Sequence, residues 1–421
     1  MNISLFIARR LQLKGTKRDT SSSSTIIAVT GVAIAIIVMV LTLAVVLGFK
    51  NQIREKVMGF DSQITINPAH DYSLGKSEFS LSLNETLVNI IDSSLNTNED
   101  SIHINLTIKQ PGILKTNDAF AGLMFKGIDC RNDLSFIKQN LVEGSLPNFE
   151  VDSCKNSIII SSTTASDLKI SLGDRINTYF FNDGNIRARK FVIAGIYNSN
   201  FSDYDKLIAF APTPTLQRIA QLDSISGTSI EISGLDYEMI QEKSVTLQSA
   251  ISDAVYKQQL DKIYRVDNVL RSGAMYFNWL DLLDMNVVVI LILMSCVAGI
   301  TLVSCLFIII LERVNTIGLL KAIGASNYQV RMVFIYMAQR LVVRGMIIGN
   351  VISLFLVYLQ NMFHLIPLDP EAYYLSFVPV EINWWHILAL NIGVIIISSI
   401  ILILPSHLVT KISPAQTMRY E

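Results

Sequence analysis

The chain has 421 residues, of which 51% are hydrophobic and only 16% are charged, well below the quarter that is usual for soluble domains. Its 34 basic and 35 acidic residues give a net charge of −1, which gives no support to a nucleic-acid partner. The apolar residues are concentrated in blocks. They therefore indicate membrane spans and argue against one very large soluble core.

The apolar blocks predict four transmembrane helices, since roughly 20 apolar residues are needed to cross a hydrocarbon layer. The predicted spans are residues 25–48, 285–311, 342–363 and 387–408. The third is the least apolar, because it carries Arg344, Asn350, Gln360 and Asn361. The first begins too far into the chain, and its apolar core is too long, for a cleaved signal peptide.

The positions of lysine and arginine predict the orientation of these spans. Basic residues cluster before the first span and after the second, whereas the predicted external loop of residues 364–386 has no lysine or arginine. The positive-inside rule therefore puts both termini and residues 312–341 in the cytoplasm. Residues 49–284 are then extracytoplasmic, and their charges do not oppose this because long domains translocate largely regardless of charge.

The extracytoplasmic region alternates short strands and helices, which predicts an α+β domain. The predicted strands are residues 63–67, 119–128, 157–160, 175–181 and 190–197. The predicted helices are residues 85–95, 163–168, 215–220 and 237–252, with a further helix from 269 that continues unbroken into the second span. A disulfide between Cys130 and Cys154 is chemically permitted outside the cell, but their spacing does not establish it.

Both ends of the chain are predicted to lie at the cytoplasmic face. Residues 1–24 are basic and favour either an amphipathic helix in the membrane interface or a tail that only anchors the topology. Residues 409–421 form a short tail after the fourth span.

Several kinds of catalytic and cofactor site are missing from the sequence. The phosphate-binding pattern G-x-x-x-x-G-K-[ST] is absent, because His70 stands where the first glycine would precede Gly75-Lys76-Ser77. The five histidines have no ligand-like spacing, and there is no C-x-x-C or G-x-S-x-G motif. We therefore expect no catalytic residue, metal or cofactor in this chain, and no ATPase activity of its own.

The segment from Glu312 to Ser326 follows the second span and has the character of a short amphipathic helix. Apolar residues recur every third position on one predicted face, at Val314, Ile317, Leu320 and Ile323. We expect Gly324-Ala325 to end this helix and Ser326 to cap the next. Such a helix can fit a groove on a partner protein, or it can be an interfacial loop with no partner. The candidate contact residues are Glu312, Arg313, Ile317, Gly318, Leu320, Lys321, Ala322, Gly324, Ala325 and Ser326.

Small residues four apart mark two of the spans as sites of close helix packing. Gly345 and Gly349 stand at the start of the third span, and Gly31 and Ala35 lie in the first. The contact they favour is either within the chain or across a dimer.

The segment ERVNTIGLLKAIGAS resembles the coupling segment of FtsX-like ABC transporter permeases, a family that includes the lipoprotein-releasing and MacB-type proteins. The tail Ser413–Glu421 is similar to the family's P-A-x-x-L-R-x-E ending, with Met418 in place of leucine. Phrases in the external region also resemble the family's domain: Phe125–Asp129, Leu168–Asp174, Phe191–Tyr197 and Asp203–Asp205. From the residues alone, we interpret these phrases as scaffold rather than ligand contacts.

The resemblance implies four transmembrane helices with a large MacB-like α+β domain inserted between the first and second. It also implies two copies of a separate ABC ATPase, which bind ATP and magnesium, and a second permease subunit, identical or related. The resemblance places the chain in a bacterial inner membrane. Its external domain then lies in the periplasm and moves like a lever.

Within the family, the size of the external domain and the lack of a fused ATPase favour release of lipoprotein cargo from membrane lipid, with a periplasmic chaperone as a further candidate partner. The alternatives are a MacB-like exporter, a cell-division-type permease, or a membrane scaffold or sensor that transports nothing.

Overall fold

The computed structural model describes residues 21–69, 80–95, 102–129, 132–147, 156–182 and 185–406. Most of the predicted basic segment of residues 1–24, the two external cysteines Cys130 and Cys154, and the tail of residues 409–421 lie outside the described residues. The predictions made for them stay predictions.

The helices that the structure describes are, in chain order, α1 (Ser21–Phe60), α2 (Glu85–Leu95), α3 (Ser135–Gln139), α4 (Ser162–Leu168), α5 (Ser202–Asp205), α6 (Thr213–Ala220), α7 (Ile240–Tyr256), α8 (Val269–Ser272), α9 (Ala274–Glu312), α10 (Val314–Ala322), α11 (Asn327–Phe363), α12 (Pro370–Tyr373) and α13 (Trp384–Ser406). The described strands are β1 (Ile64–Pro68), β2 (Leu81–Ser82), β3 (His103–Thr107), β4 (Lys109–Lys115), β5 (Phe120–Ile128), β6 (Leu141–Gly144), β7 (Ser157–Ser161), β8 (Arg175–Asn182), β9 (Asn185–Tyr197), β10 (Ile208–Pro212), β11 (Ser226–Gly227), β12 (Ser229–Ser233) and β13 (Tyr264–Asn268).

The chain divides into two compact units. The membrane unit takes in the described residues of Met1–Asn51, Leu280–Pro367 and Phe377–Glu421, and the core unit consists of the described residues of Gln52–Trp279 and Leu368–Ser376. Helices α1 and α9 therefore contribute residues to both units.

Four described helices are long and apolar enough to cross a membrane: Thr25–Phe60, Ala274–Glu312, Asn327–Phe363 and Trp384–Ile403. This confirms the predicted number of spans. The first three helices run well beyond the predicted spans, because a helix continues into polar sequence that a search for apolar residues excludes. The helix that Ser326 precedes runs without a break from Asn327 through the third span.

The predicted unbroken helix from residue 269 into the second span is wrong. Gly273 interrupts it with a φ of −93° and a ψ of 20°, so α8 ends at Ser272 and α9 begins at Ala274. Asn268 caps α8 by accepting a hydrogen bond from the Arg271 amide at 3.0 Å. The cap fixes the start of α8 by satisfying an amide that a helix start leaves unpaired, and Gly273 ends it.

A seven-stranded sheet forms the larger part of the core unit, in the order β6-β9-β7-β10-β5-β4-β8. Strand β8 also pairs with β9, so every strand except β6 belongs to a closed ring. The interior is filled by Phe125, Phe180 and Phe191, whose ring centroids lie 5.0 to 6.1 Å apart. All three side chains are fully buried. The predicted strands β5, β7, β8 and β9 are confirmed to within a few residues, apart from the longer start of β9.

A second, antiparallel sheet has the order β13-β1-β12-β3. Helices α2 and α7 pack against each other, and α7 also packs on β13. Leu87, Ile91 and Leu95 are the buried face of α2, and their spacing of four residues explains why this predicted helix forms as expected. The predicted helix over residues 237–252 is also confirmed, with a 3₁₀ turn at its start and an end at Tyr256.

Close helix contacts hold the membrane unit together. A Cβ atom on Gly345 would lie 2.8 Å from the Val32 side chain, and one on Gly349 would lie 2.8 Å from that of Ile36. Polar side chains join α11 to α13: the Asn350 amide donates to Asn391 Oδ1 at 2.8 Å, and Gln339 donates to Ser399 Oγ at 2.5 Å. These bonds explain the low hydropathy of the third span, because polar residues between membrane helices can hydrogen-bond each other.

Candidate functional site

The candidate coupling segment is a helix separated from α9 by one non-helical residue. Arg313 has a φ of −112° and a ψ of 21°, and its amide still donates to the Ile309 carbonyl at 3.1 Å. Helix α10 then runs from Val314 to Ala322. The break between α9 and α10 therefore falls at the candidate residue Arg313.

Helix α10 ends in a Schellman motif. Gly324 has a φ of +95°, a left-handed conformation that glycine adopts without steric cost. The Gly324 amide donates to the Lys321 carbonyl and the Ala325 amide to the Leu320 carbonyl, both at 3.0 Å. This pair of bonds satisfies carbonyls that the end of a helix leaves free. The predicted stop at Gly324 is what the backbone shows.

The next helix begins at once with a capping box. Ser326 Oγ accepts from the Gln329 amide at 3.3 Å, and Gln329 Oε1 accepts from the Ser326 amide at 2.9 Å. The predicted cap at Ser326 is confirmed, and its reciprocal partner Gln329 follows from the S-x-x-Q spacing. The segment thus has a defined conformation at both ends.

Burial divides the candidate residues into two sets. Ile317 is fully buried and belongs to one apolar cluster with Val330 and Phe334 of α11, and Gly318 is also buried. Leu320 and Ala325 are partly buried against the same cluster. The candidates that are exposed are Glu312, Ala322, Gly324 and Ser326, and those that are half-buried are Arg313, Leu320, Lys321 and Ala325.

The residues of the predicted apolar face differ in exposure. Ile317 is buried, Val314 and Leu320 are half-buried, and Ile323, the C-cap of α10, is 76% exposed. Leu319, which was not among the candidates, is 58% exposed, and Tyr328 in the first turn of α11 is 68% exposed. Exposed apolar groups at this point are the ones that a partner can bury. The sequence could have indicated Leu319, because adjacent helical residues point in different directions. Leu319 and Leu320 therefore cannot both lie on the buried face.

The packing candidates lie against other helices of the same chain. A Cβ atom on Gly31 would meet Thr301 of α9 at 2.8 Å, and Ala35 is 2% exposed. Gly345 and Gly349 of α11 face α1. All four small residues therefore serve contacts that this one chain makes with itself.

The Asp203-Tyr204-Asp205 phrase forms a polar junction in the core unit. Asp205 is 1% exposed and accepts hydrogen bonds from the Ser199 hydroxyl at 2.6 Å and the Ser199 amide at 3.2 Å. Burial raises the pKa of Asp205, and the bonds from Ser199 oppose this rise. The Tyr204 hydroxyl donates to Asp61 at 2.8 Å. These contacts agree with the scaffold role that we expected for the phrase.

Two protein families match the sequence in the regions just described. The MacB-like periplasmic core domain matches residues 25–247, which is more than half of the chain, and the FtsX-like permease C-terminal region matches residues 288–414. The chain belongs to the MacB-type family of FtsX-like permeases. It is an ABC-transporter permease subunit rather than an ATPase, and an inner-membrane protein with a periplasmic domain.

Full-length relatives of the permease have low sequence identity. The lipoprotein-releasing system transmembrane protein LolC of Xylella fastidiosa is 19% identical over 411 residues, which cover 93% of this chain and 92% of that protein. LolE of Haemophilus influenzae, named as a protein of the same system, is 20% identical over 436 residues, with 99% of each chain covered. The periplasmic region of MacB from Actinobacillus actinomycetemcomitans is a similar solved structure, with 16% identity, a TM-score of 0.32, and coverage of 53% of this chain and 97% of that one.

The described part of the permease contains no group of three or more His, Cys, Asp or Glu side chains that could hold a metal ion. Leu319 and Ile323 are the large exposed apolar residues of the candidate segment. A Schellman motif ends its helix, and a capping box begins the next one.

Proposed function

We propose that this permease transmits ATP-driven motion from a separate ABC ATPase to its periplasmic domain. The observation that carries the proposal is the exposure of Leu319 and Ile323 on a short helix whose other side is anchored by Ile317 in the apolar cluster. An exposed apolar pair on an anchored helix can insert into a groove by the helix-in-groove mode. Members of the family pair with ABC ATPase subunits, which supports the same partner here.

The proposed topology has both termini and residues 312–341 in the cytoplasm and the periplasmic domain between the first and second spans. Charge placement supports the orientation. The grouping of the described residues of Gln52–Trp279 into one compact unit supports the position of the domain. Two permease subunits and two ATPase subunits would form the complex, with ATP and magnesium held by the ATPase.

We further propose that the complex releases lipoproteins from the inner membrane. The names of the relatives LolC and LolE, which describe a lipoprotein-releasing system, support this substrate class. Incubation of the complex in proteoliposomes with a triacylated lipoprotein should give ATP-dependent transfer of the lipoprotein to the soluble fraction. ATP hydrolysis without such transfer would overturn the lipoprotein part of the proposal and leave the coupling part standing.

The coupling role is tested by the double variant Leu319→Asp, Ile323→Asp in the full chain, co-expressed with an ABC ATPase of the lipoprotein-release type. We expect at least a roughly tenfold loss of co-purified ATPase, because two contact side chains become charged. Ile317 is unsuitable for this test, since it is buried and its replacement would disturb the fold. The control is Tyr256→Asp, which is 89% exposed in the core unit and should change nothing. Undiminished ATPase binding by the double variant would overturn the proposal.

A further inference from the structure

We propose that Tyr374 clamps residues 368–376, which lie between the third and fourth spans, to the periplasmic domain. The clamp gives α11 and α13 their own connection to that domain, in addition to the one through α1 and α9. The inference rests on the proposed function only where it concerns ATP-driven motion.

The segment groups with the periplasmic domain although its flanking helices do not. Residues Leu368–Ser376 belong to the core unit, whereas α11 and α13 belong to the membrane unit. The Leu368 amide donates to the Ser376 carbonyl at 3.0 Å, so the two ends of the segment are joined. Asp369 caps the short helix α12 by accepting from the Glu371 amide at 3.0 Å, and Leu375 is 2% exposed. The segment is therefore a compact structure and not a slack loop.

Tyr374 contacts the domain with three different groups. Its hydroxyl donates to Asp203 Oδ2 at 3.0 Å, and its carbonyl accepts from Lys56 Nζ at 2.7 Å. Its ring lies edge-on to Phe201, with 4.7 Å between centroids. Lys56 also donates to the carbonyl of Ser199. One residue of the segment thus binds both the 199–205 loop and the end of α1.

Tyr374 is also the left-handed C-cap of α12. Its φ is 61°, and its amide donates to the Pro370 carbonyl at 3.0 Å, a common way for a helix to end. The end of α12 therefore fixes the backbone from which the Tyr374 side chain reaches residues 199–205.

The same carboxylate joins the segment to α9. Asp203 Oδ2 accepts a second hydrogen bond from the Tyr276 hydroxyl at 2.8 Å, and Phe201 packs on the Tyr276 ring at 4.9 Å. Tyr276 lies in the first turn of α9. Asp203 and Phe201 are therefore the point at which α9, the 199–205 loop and the 368–376 segment meet.

Hydrogen exchange in the full chain in nanodiscs tests the clamp without any ATPase. In Tyr374→Ala, we expect roughly tenfold faster exchange of the amides in both 368–376 and 199–205. Tyr374→Phe keeps the ring and removes only the hydroxyl, so the exchange rate should rise less in both segments. A graded effect of this kind distinguishes loss of the contact from loss of folding. The control is Tyr373→Ala, because Tyr373 is 46% exposed. Faster exchange confined to 368–376, or no change at all, would overturn the clamp.

The mechanical part is tested with the ATPase bound. We expect Tyr374→Ala to co-purify the ATPase as the wild type does, but to lose most of the change in domain exchange that ATP and vanadate produce. An ATP-dependent change equal to that of the wild type would overturn the second connection. A wild type that binds no ATPase would instead overturn the proposed function, and the exchange result without ATPase would still stand.

Discussion

The carboxylate of Glu231 and the ammonium of Lys126 form an ion pair with 2.9 Å between Oε2 and Nζ, and each side chain is less than a tenth exposed, at 5% and 9%. Glu231 lies on β12 of one sheet and Lys126 on β5 of the other. Lys109 lies 3.2 Å from both Glu231 and Asp61, and Lys126 also donates to the Phe60 carbonyl at 2.7 Å. The pair thus joins both sheets to the last residue of α1.

Replacing Glu231 by Gln should destabilise the core unit by about 3 kcal/mol, because it leaves the buried ammonium of Lys126 without its counter-charge. Thermal unfolding of the full chain in detergent measures this. Glu238→Gln, an exposed change on the same unit, is the control. Equal stability of Glu231→Gln and wild type would contradict the account of the pair.

The same residue predicts acid sensitivity. Burial alone would raise the pKa of Glu231, but Lys126 and Lys109 outweigh it and lower the pKa from its ordinary 4.5 to about 2. The folded-state pKa is depressed, so the stabilisation is complete above pH 4.5 and is lost as the pH falls towards 2. Unfolding followed between these values should show wild type losing stability and Glu231→Gln losing less. Parallel pH curves for the two proteins would refute this.

Gly324→Ala should disturb the coupling segment while leaving the membrane unit folded. A Cβ atom at a φ of +95° costs about 1 kcal/mol, and the strain is relieved if α10 runs on past its proper end. We expect weaker ATPase co-purification with little change in unfolding temperature. The matched control is Gly393→Ala in α13, where a Cβ would meet no atom within 4 Å. Normal ATPase binding by Gly324→Ala would show that the Schellman stop is dispensable.

Gly345→Leu should separate α1 from α11. The first added atom would lie 2.8 Å from Val32, and overpacking of this kind costs about 1–3 kcal/mol. Resistance to proteolysis in detergent should fall, whereas Gly393→Leu in the open position should remain close to wild type. A Gly345→Leu protein as resistant as wild type would mean that the contact is not tight.

The Asn350–Asn391 pair should show a measurable coupling energy. Asn350→Leu and Asn391→Leu, alone and together, form a double-mutant cycle for the 2.8 Å bond between α11 and α13. Interhelical bonds in membranes average about 0.6 kcal/mol, so we expect the double variant to lose less stability than the sum of the two single variants. Strictly additive losses would argue that the bond contributes nothing.

Local features of this protein were readable from the residues alone. The four apolar helices, the stop at Gly324 and the cap at Ser326 depend on neighbours within a few positions, so hydropathy and turn chemistry were enough. Strand β4 was missed, because Pro111 and Gly112 disfavour a strand and only pairing with β5 and β8 holds the segment extended.

Tertiary structure alone decided the contacts between distant residues. Burial of Ile317 and exposure of Ile323 depend on where α11 packs on α10. The periodicity of residues within α10 cannot predict that packing. Tyr374 and Asp203 are 171 positions apart, and Glu231 and Lys126 meet from different sheets. Such pairs form because the closed ring and the helix packing bring their backbones together, and the energy that holds them is spread over contacts that no local pattern records.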